Sequence, residues 1–492
     1  MHLSLLKKLI APALGKLLFF FLSLLVTACA GSRAVLVRES DPDIFSARPK
    51  YIFLCIGDGM GPAQVKLADA VLDPGRTLVM NTFPVTGIAT THAEDRYITD
   101  SAAAGTALAT GEKTSIGTIS MRSNHRDTLR TIAEMARKRN MRVGVVSSVG
   151  IDNATPACFY AHNAGRGNYY DIAVQMATSG FDYFGGGYAE GDFAQNRQKD
   201  GVSRKDIPSL MRNAGYRVVS GLAALHAVQP GTRCWAYTRY DGKAAMSYQI
   251  DRQAEEIQLR EFTLEGIRLL DNPNGFFMMV EGGKIDWACH ANDAAAAAYD
   301  VRAFDEAVAE AVAFYRRHPR ETLIVVTADH ECGGLSLGNT ARGYETRLSL
   351  LRRQKVSLQR FAEKVGAWKK NRRVSFPMVL DSVRAYYGLG DAFSDSLLAI
   401  SREDRSALAA AYAFRPAGTA KTSARYSGAE AFASAVTRML NSRAGTGWTS
   451  NAHTAVPVQV FALGAGAGAF AGCYDNTGIA EKLIRLARLG GQ

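Results

Sequence analysis

Short, continuously apolar runs alternate with helix-prone stretches along most of the chain. The run Tyr51-Ile52-Phe53-Leu54-Cys55-Ile56 has no charged position, as a strand buried on both faces requires. Further strands are predicted at Arg142 to Ser147, Tyr216 to Val219, Gly275 to Val280, Thr322 to Thr327 and Val458 to Leu463. Helices are predicted at Asp127 to Arg139, Arg252 to Leu270 and Asn292 to Arg316, the last rich in alanine and so favoured by intrinsic propensity. This alternation predicts an α/β fold with a central, mostly parallel β-sheet sandwiched by helices. From about 338 to 450 the texture turns basic and helix-prone without strands. Strand pattern resumes after it, which predicts a helical insertion within one domain. The glycine- and alanine-rich Gly464 to Gly472 reads as a loop.

The first residues follow another pattern. Lys7, Lys8 and Lys16 precede an apolar run from Leu17 to Val26 that closes on Thr27-Ala28-Cys29, the layout of a secretory signal. The run is shorter than the roughly 20 residues a spanning helix needs. Cys29 directly after Val26-Thr27-Ala28 resembles a bacterial lipobox. That resemblance implies a signal over 1–28, acylation of Cys29, a tether over 30–50 and a domain over 51–492, exported to the cell envelope or periplasm and attached to a lipid bilayer. An ordinary cleaved signal with an incidental Cys is the alternative.

Composition narrows the class but not the domain count. At 492 residues the chain can bury a large core as one domain or as two or three small ones. With 47% hydrophobic and 21% charged residues, disorder and a multi-span membrane protein are both excluded. The net charge of +12 is dispersed and no nucleic-acid motif accompanies it, so no nucleic-acid partner is expected. Such a balance modestly favours anionic substrates or lipid headgroups. Of seven cysteines, Cys55, Cys158, Cys234, Cys289, Cys332 and Cys473 remain once Cys29 is set aside. An oxidising compartment permits disulfides among them, but the spacing selects no pairing.

Acidic and histidine residues cluster where the predicted strands end, which is where open α/β sheets place ligands. Asp58 follows the first strand in Gly57-Asp58-Gly59-Met60-Gly61. In Asp100-Ser101-Ala102-Ala103-Ala104-Gly105, Asp100 can cap a tightly packed helix. Ser101 at its N-terminus would face backbone N–H groups that favour phosphate. Glu281 closes a strand ahead of Asp286 and His290, whose spacing of four shares a helical face and suits zinc. Asp329-His330 follows another strand, His453 precedes the last one, and Asn153, Thr155 and Arg166 follow a third. Arg offers the planar fork that holds phosphate bidentately. Each segment alone also reads blandly, as a turn Asp, a capping Ser, a surface ion pair or a solvated cation.

Together and in this order, the segments resemble the alkaline phosphatase family from Tyr51 nearly to the end. The resemblance implies hydrolysis of phosphate monoesters through a phosphoserine on Ser101, with two zinc ions and one magnesium. Asp286, His290 and His453 would then hold the first zinc, and Asp58, Asp329 and His330 the second, beside Ser101. Asp58, Thr155 and Glu281 would hold magnesium, which prefers oxygen ligands, and Arg166 would clamp the phosphate. The metal beside Ser101 would favour its alkoxide. Relatives are often dimers, which leaves a homodimer open. Asn153 stands where enteric members carry Asp and animal members His, and Trp287 where they carry Lys and His. Both positions are assigned to the substrate side of the site, and loss of a cation at Trp287 predicts weaker phosphate retention. A phosphodiesterase or other hydrolase of the same superfamily is the nearest alternative, and a lipoprotein that binds metal or phosphate without turnover a more distant one.

Overall fold

The computed structural model describes residues 47–71, 76–198, 201–238, 242–371, 373–414 and 431–490. The signal over 1–28, Cys29 and the tether up to residue 46 lie outside the described residues. In chain order the strands are β1 (Tyr51–Ile56), β2 (Val85–Thr90), β3 (Arg142–Ser147), β4 (Tyr183–Gly186), β5 (Arg217–Ser220), β6 (Cys234–Tyr237), β7 (Phe276–Glu281), β8 (Thr322–Thr327), β9 (Glu331–Cys332), β10 (Leu335–Ser336), β11 (Gly447–Trp448), β12 (His453–Thr454), β13 (Val458–Gly464) and β14 (Gly472–Asp475). A 10-stranded sheet runs β14-β2-β13-β8-β1-β7-β3-β4-β6-β5. Only β13 is antiparallel to its neighbours, β2 and β8.

The sheet centre is the driest part of the molecule. Every residue of β1, β7 and β8 is buried, so both faces of these strands are covered. Each fully buried Leu, Ile or Phe there contributes about 1.5–3 kcal/mol. Pro62–Val71, Leu259–Leu270 and Ala294–Arg317 pack together as one helical layer, and Ser101–Thr110, Ile132–Lys138 and Thr477–Ala487 as another. The 338–450 stretch is built mainly from helices, among them Leu358–Lys370, Phe376–Tyr387, Arg402–Ala413 and Ala431–Ala444.

Several boundaries differ from the pattern reading for local reasons. The helix predicted from Asp127 begins only at Ile132, because Thr131 and Glu134 form a reciprocal capping box and Met121 bridges Thr128 ahead of it. The helix predicted from Arg252 begins at Leu259, where Gln258 and Glu261 cap it in the same way. Within the 10-stranded sheet four strands were not predicted, β2, β4, β6 and β14, nor were the two-residue strands β9 to β12 outside it. In β2 alternate positions are exposed, and β4 and β6 have four residues each. The Gly464 to Gly472 stretch is not one loop, since Gly464 ends β13, Ala467–Phe470 forms a 3₁₀ turn and Gly472 opens β14. All six described cysteines are free thiols. Among the described residues no helix is long and apolar enough to cross a membrane.

Candidate active site

Register explains why distant residues meet. Ile56 at the end of β1 pairs with Glu281 at the end of β7 and with Thr327 at the end of β8, so Asp58, Glu281 and Asp329-His330 leave the sheet side by side. β13 runs the other way, so its first residue lies at that same edge, and β2 points its last residue there too. His453 reaches the site through β12, which pairs with β9 and sets His453 opposite Cys332. Gly59 permits the crowding, with φ of +70° and a Cβ position only 2.9 Å from Asp286.

One cluster centres on His330, which is fully buried. Its Nε2 lies 3.3 Å from Ser101 Oγ, 3.5 Å from Asp58 Oδ1 and 3.3 Å from Asp329 Oδ2. Ligand atoms bound tetrahedrally at roughly 2.0–2.1 Å from zinc stand about 3.3 Å apart, so these spacings suit a shared ion. Asp58 Oδ1 and Asp329 Oδ2 have no hydrogen-bond partner although buried. Burial raises both carboxyls well above their usual range, and mutual repulsion with Asp286 adds to it. A cation is what such a set of uncompensated groups lacks.

A second cluster lies beside the first. His290 Nε2 is 3.3 Å from Asp286 Oδ2 and 3.1 Å from His453 Nε2, which is 3.6 Å from Asp286 Oδ1. His290 Nδ1 faces the Asn451 carbonyl at 2.6 Å and His453 Nδ1 faces the Thr99 carbonyl at 2.9 Å. Carbonyls only accept, so in the neutral imidazoles each Nδ1 carries the hydrogen. Both Nε2 lone pairs then point at each other and at a carboxylate, an arrangement that a metal relieves. Cys332 Sγ lies in the same group, whose ligand atoms are all within 4.8 Å of one another. It donates to the Asp286 carbonyl at 3.8 Å, and burial pushes its thiol well above the usual range.

The oxygen-only set adjoins the first cluster. Thr155 Oγ1 donates to Asp58 Oδ2 at 3.4 Å, and Glu281 Oε1 is buried without a partner. Burial raises Glu281 to about 7 against the hydrogen bonds it receives. Ser147 Oγ donates to its other oxygen. These residues suit a hard cation with oxygen ligands.

Ser101 opens the helix Ser101–Thr110, capped by Asp100, whose Oδ1 accepts from Ala103 N at 3.0 Å. Asp100 Oδ2 takes Arg166 Nη1 at 2.8 Å. Burial works to raise that carboxyl, but the Arg166 guanidinium and the backbone N–H groups outweigh it and hold it below the usual range. Arg166 is thus a half-buried, oriented cation. Asn153 caps Ala154–Ala157 by accepting from Ala154 N, and its Nδ2 is buried without a partner. Trp287 lies on the helix Lys284–His290 that carries Asp286 and His290, with its ring under the Lys284 ammonium at 4.3 Å.

Three supporting residues escape a reading of single segments. Asp100 was legible as a cap but not as the partner of Arg166, which is 66 positions away. Glu331 accepts from Gln64 Nε2 at 2.7 Å, from Gly334 N at 3.1 Å and from Thr454 Oγ1, so it ties the turn after β8 to the strand carrying His453. Ser147 ends a predicted strand beside Glu281, and its position was the available signal.

A hydroxyl, an oriented cation and facing acid and imidazole groups at one sheet edge mark a metal-assisted hydrolase of phosphate esters. The family model described as alkaline phosphatase matches residues 49–489, and the chain belongs to that family. Alkaline phosphatase 4 of Bacillus subtilis (strain 168) is 31% identical over 454 residues, 90% of this chain and 90% of its own length. The cold-active alkaline phosphatase from the psychrophile Shewanella sp. superposes with a TM-score of 0.73 at 30% identity, covering 89% of this chain and 99% of that one. Thermus thermophilus alkaline phosphatase gives a TM-score of 0.74 at 26% identity, covering 91% and 93%. The chain is therefore a metal-binding enzyme, a phosphoric monoester hydrolase of the alkaline phosphatase family. These matches do not favour the phosphodiesterase alternative.

Proposed function

We propose that this enzyme splits phosphate monoesters into alcohol and inorganic phosphate through a phosphoserine on Ser101. The observation that carries the reading is Ser101 Oγ at 3.3 Å from His330 Nε2, within the cluster that Asp58 and Asp329 complete. Asp286, His290 and His453 would hold one zinc, Asp58, Asp329 and His330 a second, and Asp58, Thr155 and Glu281 a magnesium. Bound there, the metals supply Lewis acidity for the nucleophile, the leaving oxygen and an attacking water.

The chain's own groups account for the rest. Ser101 Oγ gives its proton to solvent and attacks phosphorus, the bond from phosphorus to the alcohol oxygen breaks, and the alcohol leaves with a proton from solvent. Water then attacks the phosphoserine and frees Ser101 and phosphate. Arg166, pinned by Asp100, presents its remaining N–H groups to the phosphoryl oxygens, and the helix N-terminus adds backbone donors. Asn153 Nδ2 is a further donor beside Thr155. Trp287 borders the substrate side without a charge of its own.

The reading extends to the whole chain. A signal over 1–28 would deliver it, acylated Cys29 would anchor it to a bilayer in the cell envelope, residues 30–50 would tether it, and 51–492 would form the catalytic domain with its insertion over about 338–450. A homodimer is compatible with this arrangement.

Purified enzyme is expected to contain two zinc and one magnesium per chain by elemental analysis and to take up labelled phosphate. Ser101→Ala should keep the metals and take up none. Label retained in Ser101→Ala, or wild type that turns over substrate without ever labelling, would overturn the phosphoserine.

A further inference from the structure

Cations spread along the chain gather in the fold at the sheet edge opposite the candidate active site. Register sets this edge: Tyr51 pairs with Phe276 and Thr322, Arg142 with Phe276, and Arg217 with Cys234, so the parallel strands start level. Helices that lead into those strands end there, and their last turns and the loops after them are basic. Exposed Arg137, Lys138 and Arg139 precede β3, and exposed Arg316, Arg317 and Arg320 precede β8. Exposed Arg485 and Arg488 join them at the end of Thr477–Ala487. That end is tied to the edge by Arg139 Nη2, which donates to the Gly490 carbonyl at 2.8 Å, and by Arg48 Nη2, which donates to the Ala487 carbonyl at 3.2 Å. The carboxylates at these strand starts are Glu321, whose Oε1 is 3.8 Å from Lys50 Nζ, Asp182, which accepts from Val143 N at 2.9 Å, and exposed Asp271.

Basic groups in a last helical turn complement the helix dipole, but that role does not extend to Arg217 or Arg320, which lie outside the helices. Hydrogen bonds from Arg48, Arg139 and Arg142 end on backbone carbonyls, which are neutral and leave each positive charge in place. The same edge is where the preceding chain joins, since Ala47 and Arg48 lead directly into β1. The segment bearing the lipobox-like Cys29 thus connects to the domain on its basic side. A bilayer with anionic headgroups complements such a face, and each cation brought near it multiplies partitioning about fivefold. β1 spans six residues, so the edge holding Ser101 stands about 20 Å higher. That exceeds the Debye length of roughly 8–10 Å, which keeps an anionic substrate at Ser101 clear of the negative surface potential.

We propose that the edge carrying Arg137, Arg317 and Arg488 docks on anionic lipid headgroups and turns the candidate active site away from the bilayer. Partitioning of the whole chain into vesicles of phosphatidylglycerol mixed with phosphatidylcholine is compared with vesicles of phosphatidylcholine alone, so that any acyl or signal contribution is common to both. The wild-type ratio should exceed one and fall as salt rises. Arg316→Ser, Arg317→Ser and Arg320→Ser combined should lower it on the order of 10²-fold. Arg137→Ser, Lys138→Ser and Arg485→Ser combined, on two other helices, should do the same. Arg402→Ser, Arg405→Ser and Arg438→Ser combined take equal charge from the insertion and should change the ratio by no more than about threefold. A wild-type ratio of one, or equal losses in the edge and insertion variants, overturns the docking face. So does a DNA duplex that, at the same salt, binds the wild type more tightly than the anionic vesicles do and loses that binding in the edge variants, which assigns the face to nucleic acid.

Discussion

The two ligand clusters share one sheet edge but are held by different means. Asp58, Asp329 and His330 come from adjacent parallel strands, and their side chains are at most 5% exposed. His290 and His453 are 13% exposed, and His453 arrives only after the long helical insertion. The first group inherits its geometry from the register of β1 and β8. The second depends on a two-residue strand pairing and on carbonyls of Thr99 and Asn451 that fix the imidazoles. A buried set enforced by the sheet should be rigid, and a partly open set fixed by loops should exchange its ion more readily.

The widest separation should come from removing one ligand in each half. Asp329→Asn is expected to lower kcat/KM on the order of 10³-fold, since it strips charge from the surroundings of Ser101, the proposed nucleophile. His453→Ala should lose one zinc by elemental analysis and cost less, on the order of 10²-fold. The reverse ranking would break the comparison. Glu331→Ala, which cuts the tie between the halves, should weaken metal binding about 10–100-fold, measured by competition with a chelator. In a chelation time course on wild type, the metal ion of one half should leave severalfold faster than that of the other; simultaneous loss would show the halves to be one unit. The smallest effect is assigned to Trp287→Lys, which adds a cation to the open half. Inhibition by phosphate should tighten by about fivefold, the worth of one partly screened charge pair, and an unchanged inhibition constant would remove Trp287 from the substrate side.

Much of the fold was legible because buried parallel strands advertise themselves. β1, β3 and β8 have the boundaries that their apolar runs predict. β4 and β6 were not predicted: β4 ends in Gly185-Gly186, which reads as a turn, and β6 offers only four residues to count. Helix starts at Ile132 and Leu259 were misjudged because capping by Thr131 and Gln258 outweighs the propensity of the residues before them. In the site, Asp286 and His290 were readable from a spacing of four, and Asp329-His330 from its place after β8. His453 was not readable by itself, since a lone His has no local partner.

Residue chemistry was settled by the chain alone: which hydroxyl, carboxylates, imidazoles and guanidinium were available, and that most stood at strand ends, because hydrophobic period and turn chemistry are local properties. Convergence was decided only by the tertiary structure. The pairing of β9 with β12, the clasp of Asp100 on Arg166, and the basic edge where Arg48 meets Ala487 join segments separated by tens to hundreds of residues. Contacts at such separation come from global packing, which no short window of sequence encodes.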